Sequence, residues 1–123
     1  MNRPRILLAD DYSLLCDAIR KVLEPAYELI GCVGDGRALL KAAVDLNPDL
    51  VIMDVGLPLL NGLQAARELK QLRPEMKIVF LTMNHDPDIA REALRIGASG
   101  YVLKHSIPEE LLAAIENAVA ATH

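Results

Sequence analysis

Five short apolar runs, each separated from the next by a longer amphipathic stretch, constrain the fold of this chain more than any other feature. The runs occupy residues 6–9, 29–33, 50–53, 78–81 and 101–103. A run without polar residues at alternate positions is typical of a parallel strand whose two faces are both covered by helices. The alternation therefore predicts repeated βα units.

The stretches between the runs carry apolar residues three and four positions apart, which is the spacing of a helix face. Pro25, Pro48, Pro74 and Gly97 stand at or just beyond the ends of the first four stretches, and Pro108 stands at the start of the fifth. Crossovers between parallel strands are right-handed in nearly all proteins. Five such units predict a doubly wound, flavodoxin-like α/β domain with a five-stranded parallel sheet in the order 2-1-3-4-5.

Length and charge narrow the class of protein. The chain has 123 residues, which fits one domain, and its 52% hydrophobic and 24% charged residues fit a compact core rather than disorder. A formal net charge of −4 gives no sequence-wide attraction to nucleic acid or to an anionic membrane. No apolar run approaches the roughly 20 residues that a membrane-spanning helix needs.

The cysteines and the N-terminal residues indicate the cellular compartment in which the chain is expected. Cys16 and Cys32 form no C-x-x-C pair, and we interpret them as buried thiols in a reducing compartment rather than as a disulfide. The acidic residues Asp10 and Asp11 interrupt the N-terminal apolar run that a signal peptide would need. The expected location is the cytoplasm.

Polar residues useful in phosphate chemistry follow four of the five apolar runs. The first run ends in Asp10 and Asp11, the third in Asp54, the fourth in Thr82 and the fifth in Lys104. In open α/β sheets, ligands bind at the carboxyl ends of the strands, near the point where the strand order reverses. We therefore expect these side chains to converge at one edge of the sheet.

The acids of this group predict a metal site. The order 2-1-3-4-5 places strands one and three side by side, so Asp10, Asp11 and Asp54 would face one another. Like charges about 5 Å apart repel by about 3 kcal/mol per pair at an effective dielectric near 20, so the cluster needs a proton or a cation. Carboxylate oxygens suit a hard cation, and Mg²⁺ fits best because it shares its shell with water and phosphate. A lone Asp at a strand end is more often a turn or cap residue, and Asp11 could cap the first helix.

Four segments resemble the receiver domains of two-component response regulators. Residues 54–62 resemble the phospho-acceptor segment D-x-x-[LM]-P-x-x-[DN]-G, residues 10–11 the acidic pair, residues 81–82 the hydroxyl-bearing strand end, and residues 97–104 the segment G-A-x-G-[YF]-x-x-K. The resemblance runs from about residue 5 to about residue 119, and it implies the receiver fold, also called CheY-like.

The resemblance implies a role for each residue that matches its motifs. Asp54 would accept a phosphoryl group from a phosphohistidine on a sensor histidine kinase, forming an aspartyl phosphate. Asp10, Asp11 and Asp54 would bind Mg²⁺ together with the backbone carbonyl of Gly56. Lys104 and Thr82 would contact the phosphoryl group. Such a domain catalyses its own phosphorylation and dephosphorylation and is not a turnover enzyme.

Tyr101 resembles the aromatic switch residue of these domains, which turns inward when Thr82 moves toward the phosphate. The surface formed by the fourth helix, fifth strand and fifth helix would then transmit the change, and a homodimer could form on phosphorylation. An ordinary half-buried tyrosine is the alternative interpretation of Tyr101.

The residue after Lys104 narrows the branch of the family. Many receivers have proline there, whereas this chain has His105, and together with residues 81–83 this resembles the NarL/FixJ branch. Regulators of that branch carry a C-terminal LuxR-type helix-turn-helix. We expect residues 1–123 to be one receiver domain of a transcription regulator that contacts DNA only through a domain beyond this chain. The alternatives are a stand-alone regulator and an interaction module that is never phosphorylated.

Three positions depart from the common pattern. Tyr12 follows the acidic pair where His or Glu is common, so the entrance to the metal site is shaped differently. Gly56 and Asn84 occupy positions that are thought to tune phosphate lifetime in the family.

A rival from another class is an aspartyl-phosphate phosphohydrolase resembling the haloacid dehalogenase group, which also uses Asp, Thr, Lys and Mg²⁺. Its nucleophile lies on the first strand in a D-x-D-x-[TV] motif, whereas the first strand here is followed by residues D-D-Y-S. The three histidines lack the spacing of zinc ligands, and we expect His85, His105 and His123 to lie in exposed loops or the tail.

Overall fold

A five-stranded parallel sheet forms the centre of the computed structural model, which describes residues 3–120. Its strands are β1 (Arg5–Ala9), β2 (Glu28–Val33), β3 (Leu50–Asp54), β4 (Lys77–Thr82) and β5 (Gly100–Leu103). All four pairings are parallel, and the strand order is β2-β1-β3-β4-β5. The predicted fold class and strand order are confirmed.

A helix follows each strand. The helices are α1 (Ser13–Leu23), α2 (Gly36–Leu46), α3 (Gly62–Leu72), α4 (Pro87–Ile96) and α5 (Ile107–Ala120). A short 3-10 helix, Lys104–Ser106, leads directly into α5. The last helix therefore begins one residue before Pro108, which is its second residue rather than its first.

Two apolar layers enclose the sheet. One layer lies between the sheet and helices α1 and α5, and the other lies between the sheet and helices α2, α3 and α4. Alternate residues of each strand enter opposite layers: in β3, Ile52 packs on the α1 and α5 side and Met53 on the other. Because both faces of the strands are filled with apolar side chains, polar groups remain at the strand ends.

Three polar side chains that precede helices act as helix caps. The side chains of Asp35, Asn61 and Asp86 accept backbone N–H groups in the first turns of α2, α3 and α4. The N-cap of α1 is Tyr12, and no side chain caps that helix. The interpretation of Asp11 as a cap of the first helix is therefore wrong.

The cysteines correct a second expectation. Cys16 of α1 and Cys32 of β2 form a disulfide with their Cα atoms 6.6 Å apart, and Cys32 is exposed rather than buried. Cys32 pairs in register with Leu8, whose side chain packs in the same layer as Cys16. The expectation of two buried thiols is wrong because the βα topology brings α1 over the edge strand β2, a proximity that a separation of 16 residues does not reveal. The cysteines therefore do not support a reducing compartment.

Candidate functional site

The acidic residues that follow β1 and end β3 lie together at the carboxyl edge of the sheet. Strands β1 and β3 are neighbours, and Asp10, Asp11 and Asp54 each offer a carboxylate oxygen within 4.8 Å of the other two. Asp10 and Asp54 are buried, whereas Asp11 is exposed. At this separation each like-charge pair repels by about 3 kcal/mol at an effective dielectric near 20, and less for the solvated Asp11. The pocket therefore favours a cation.

Lys104 supplies one positive charge to this pocket. Its ammonium lies 2.8 Å from Asp10 Oδ2 and 3.2 Å from Asp54 Oδ2, so it bridges the two buried acids. Burial lowers the pKa of Lys104, but the hydrogen bonds and negative charges of Asp10 and Asp54 outweigh it and hold the pKa above its ordinary value. Lys104 is therefore charged at neutral pH, and three carboxylates still exceed one ammonium.

The backbone around Asp54 fixes the position of its carboxylate. The Gly56 N–H donates to Asp54 Oδ1 at 3.0 Å, which leaves Oδ2 toward Lys104. Gly62, at the start of α3, packs so closely that a Cβ there would overlap the carbonyl oxygen of Asp54. The chain can return past Asp54 at this distance only because residue 62 has no side chain.

The Asp10 carboxylate has a partner that the sequence did not indicate. The Tyr12 N–H donates to Asp10 Oδ1 at 2.9 Å, and Lys104 contacts the other oxygen. Every residue type except proline has a backbone N–H, so the sequence does not indicate which of them donates to a side chain. The one signal was position, because Tyr12 stands two residues after the acid at the start of a helix.

Thr82 and Tyr101 stand on the neighbouring strands β4 and β5. The Thr82 hydroxyl donates to the carbonyl of Asn84 at 3.1 Å and is buried. The Tyr101 hydroxyl is also buried, and it has no hydrogen-bond partner among residues 3–120. The Tyr101 ring packs against the layer formed with α2, α3 and α4. A buried hydroxyl without a partner costs about 1–3 kcal/mol, so this side chain gains from any change that supplies one.

The loop after β3 contains a second feature that the sequence did not indicate. Leu59 adopts a left-handed backbone conformation with φ 65° and is 77% exposed. A residue with a side chain costs about 1–3 kcal/mol in such a region. Its neighbour Leu60 packs against Gly36 at the start of α2 so closely that a Cβ there would overlap the Leu60 carbonyl. The loop that follows Asp54 is thus held against α2.

The donor set fits Mg²⁺. Asp10, Asp11 and Asp54 are hard oxygen donors, and the cluster is open to solvent on the side of Asp11. Mg²⁺ keeps several waters and binds through one or a few carboxylates, which an open site of this kind permits. Of the three histidines, His85 and His105 are exposed, as predicted, and His123 lies outside the described residues.

Comparison with known families gives a match over most of the chain. The family model described as "Response regulator receiver domain" matches residues 6–116. The transcriptional regulatory protein DegU of Brevibacillus brevis is 32% identical over 117 residues, which are 94% of this chain and 50% of that protein. The nitrate/nitrite response regulator protein NarL of Escherichia coli K12 is 35% identical over 118 residues, 94% of this chain and 54% of that protein. The chain thus spans about half the length of these curated relatives.

Solved structures agree with the fold. A two-component response regulator of the LuxR family from Aurantimonas sp. SI85-9A1 superposes with a TM-score of 0.91 at 34% identity, covering 97% of this chain and 86% of that one. The signal receiver domain of the putative response regulator NarL from Mycobacterium tuberculosis gives a TM-score of 0.91 at 24% identity, covering 98% and 99%, and supports the fold alone. Within residues 3–120, no helix is both long and apolar enough to cross a bilayer.

Proposed function

The chain belongs to the response regulator receiver domain family, and on that premise we propose that Asp54 accepts a phosphoryl group from a phosphohistidine on a sensor histidine kinase. The observation that carries this proposal is the placement of Asp54. It is buried, it lies within 4.8 Å of two further acids, and Lys104 contacts one of its oxygens. A carboxylate in such surroundings is held in a fixed orientation, which nucleophilic attack requires.

The proposed transfer is an in-line displacement at phosphorus. An oxygen of Asp54 forms the new P–O bond while the P–N bond to the imidazole breaks, and the bonding pair stays on the imidazole nitrogen. Lys104 contacts Asp54 Oδ2, and its ammonium would stabilise the negative charge on the phosphoryl oxygens. Thr82 would donate its hydroxyl to another of these oxygens after leaving the Asn84 carbonyl.

Mg²⁺ would be held by Asp10, Asp11 and Asp54 together with the backbone carbonyl of Gly56. When bound, the ion neutralises negative charge on the phosphoryl oxygens. The fold holds the three carboxylates close together although they repel one another. Lys104 and the Tyr12 N–H reduce the cost of this repulsion by holding the two oxygens of Asp10.

The proposed switch couples Thr82 to Tyr101. Movement of Thr82 toward the phosphoryl group would free the Asn84 carbonyl, and the buried Tyr101 hydroxyl lacks a hydrogen-bond partner among the described residues. The phosphorylated domain would then favour one of two arrangements of the surface formed by α4, β5 and α5.

Four large exposed apolar side chains, which we call the apolar rim, support a protein partner. Tyr12 and Leu14 follow the end of β1, Met83 follows the end of β4, and Leu59 lies in the loop after β3. Exposed apolar groups rimmed by charge commonly mark interaction sites. We assign this rim to the kinase, which would meet the domain in the cytoplasm.

For output, we propose control of transcription through a LuxR-type helix-turn-helix outside residues 1–123, with homodimer formation on phosphorylation. The support is that the regulators DegU and NarL are about twice as long as the part that this chain matches. A stand-alone regulator would lack that second domain. A module that is never phosphorylated would fail the following experiment.

The test is phosphorylation by acetyl phosphate with Mg²⁺, followed by intact-protein mass spectrometry. We expect a single phosphate that is stable in acid and labile in base, and we expect Asp54→Asn to eliminate it. The exposed Asp45, on α2, provides the matched control, and Asp45→Asn should be phosphorylated like wild type. Phosphate on Asp54→Asn at the wild-type level would refute the assignment. Multiple turnover of a generic phosphate ester would instead favour a phosphohydrolase.

A further inference from the structure

The disulfide between Cys16 of α1 and Cys32 of β2 takes no part in the chemistry proposed for Asp54. We propose that this pair is a site of thiol–disulfide exchange with dithiol reductants and small disulfide oxidants, and that its oxidised form binds Mg²⁺ more tightly at the acidic pocket. The second half of this inference rests on the proposed metal site. Cysteine pairs that bond in the cytosol are commonly transient and redox-sensing, which fits a regulatory use of this bond.

The two sulfurs differ in access. Cys16 is 6% exposed and packs in the apolar layer under α1 and α5, whereas Cys32 is exposed on β2, an edge strand of the sheet. An incoming thiolate must reach the sulfur that it attacks. The structure therefore directs attack to Cys32 and makes Cys16 the leaving group.

The exchange is balanced by the incoming dithiol. Its first thiolate bonds to Cys32 Sγ as the bond between the two protein sulfurs breaks, and the bonding pair leaves on Cys16 Sγ, which takes a proton. Its second thiolate then attacks the mixed disulfide and releases Cys32 as a thiol. The protein gains two electrons and two protons, and the dithiol becomes a disulfide. In oxidation by oxidised glutathione, the Cys32 thiolate attacks the glutathione disulfide and releases one glutathione, and Cys16 then attacks the mixed disulfide and releases the second.

The bond connects two segments that both hold Asp10. On the β2 side, Val33, next to Cys32, accepts the Asp10 N–H at 2.9 Å. On the α1 side, the Cys16 N–H donates to the Tyr12 carbonyl at 3.3 Å, and the Tyr12 N–H donates to Asp10 Oδ1 at 2.9 Å. The disulfide thus fixes the first turn of α1 against β2, and that turn orients the Asp10 carboxylate.

Reduction changes the restraint on this turn. Cys16 Sγ lies 3.9 Å from the Asp10 carbonyl oxygen, within reach of a hydrogen bond to sulfur, but a disulfide sulfur has no hydrogen to donate. After reduction, a weak S–H···O hydrogen bond replaces a covalent tether between α1 and β2. The first turn gains freedom, Asp10 is less well oriented before the ion arrives, and Mg²⁺ binds less tightly.

The first experiment establishes the exchange. The chain is equilibrated in oxidised or reduced glutathione and then alkylated, and mass spectrometry should find no free thiol in the first buffer and two in the second. Cys16→Ala should capture one glutathione on Cys32, whereas Cys32→Ser should stay unmodified because Cys16 is buried. Two free thiols in both buffers, or capture by Cys16 rather than Cys32, would overturn the inference.

The second experiment measures the coupling by calorimetric titration of Mg²⁺ into oxidised and dithiothreitol-reduced protein. Reduction should raise the dissociation constant about three- to tenfold, near the lower end of what losing an outer-shell partner costs a metal site. Cys32→Ser, a change at an exposed position, should match the reduced wild type in either buffer. Equal affinities of the two wild-type forms would overturn the coupling alone. Failure of both forms to bind Mg²⁺ would overturn the metal site of the proposed function as well.

Discussion

In β3, Ile52 and Asp54 stand two residues apart, yet they belong to regions that are stabilised in opposite ways. Ile52 is fully buried in the apolar layer beneath α1 and α5. Asp54 is also buried, but its surroundings are two further carboxylates and one ammonium. Within one strand, Ile52 is stabilised by the apolar layer around it, whereas Asp54 is destabilised by the neighbouring carboxylates.

The strand bodies hold the fold together, whereas the strand ends carry the candidate site. Apolar burial stabilises the strand bodies by about 25 cal/mol per Å² of surface removed from water. At the strand ends, three acids repel one another, and the ammonium of Lys104 offsets part of that repulsion in the absence of a metal ion. A substitution that removes a group should therefore destabilise the strand body, whereas neutralising an acid at the strand end should stabilise the domain.

The largest effect is expected in the strand body. Ile52→Ala should lower the free energy of unfolding by about 2–5 kcal/mol, because it removes fully buried methyl and methylene groups and leaves a cavity. Ile52→Val removes a single methylene and should cost only about 0.5–1.5 kcal/mol. Urea unfolding followed by circular dichroism measures both. A cost for Ile52→Ala no greater than that of Ile52→Val would show that apolar burial does not stabilise the body of β3.

An intermediate effect is expected at Lys104, which belongs to the strand ends but acts there as the stabilising charge. Lys104→Met without Mg²⁺ should destabilise the domain by about 2–3 kcal/mol, because it leaves the buried Asp10 carboxylate without its cation. Lys41 is the matched control: its ion pair with Asp45 is exposed, and Lys41→Met should cost less than about 0.5 kcal/mol. Equal effects of the two substitutions would show that Lys104 does not offset the acids.

The stabilising effect of Lys104 should depend on pH. Asp10 and Asp54 raise the pKa of Lys104 in the folded state despite its burial, so its contribution is complete below the unfolded-state pKa, near about 10.4. It is lost as the pH rises through the higher folded-state pKa. The difference in unfolding free energy between wild type and Lys104→Met should therefore stay constant from about pH 7 to 9 and shrink above about pH 10.5.

Periodicity was enough to predict the fold and the residues of the pocket. Unbroken apolar runs fixed the strands, and parallel pairing with right-handed crossovers then brought Asp10, Asp11 and Asp54 to one edge. The bridging position of Lys104 between two acids was not predicted. It depends on side-chain conformations that the pattern of residue types does not specify.

The remaining features escaped prediction for related reasons. The Cys16–Cys32 bond depends on how closely α1 approaches β2, a packing distance that spacing along the chain does not report. The support that the Tyr12 N–H gives to Asp10 comes from the backbone, which every residue type shares. The left-handed conformation of Leu59 runs against the preference of its own residue type, so no local rule could have found it.

The smallest effect is expected for Asp54→Asn, and its sign is opposite to that of Ile52→Ala. Without Mg²⁺, the substitution removes the repulsion of Asp54 from Asp10 and Asp11 and the cost of burying its charge, but it also removes one attraction to Lys104. Each of these pair energies is about 3–5 kcal/mol at an effective dielectric near 20, and solvent weakens the share of the exposed Asp11. The balance should favour the variant by about 1 kcal/mol, which chemical unfolding in the presence of a chelator can measure.

At the proposed metal site, Mg²⁺ should reverse that order, because the ion would bind the folded wild type through the charge that Asp54→Asn lacks. At ten times its dissociation constant the ion adds about 1.4 kcal/mol to wild-type stability by mass action, and it should add much less to the variant. Asp45→Asn, on α2 and outside the cluster, should follow wild type in both conditions. A loss of stability in the metal-free variant would mean that Lys104 alone neutralises the pocket. The strand ends would then be as stabilising as the strand bodies, and the contrast between Ile52 and Asp54 would no longer hold.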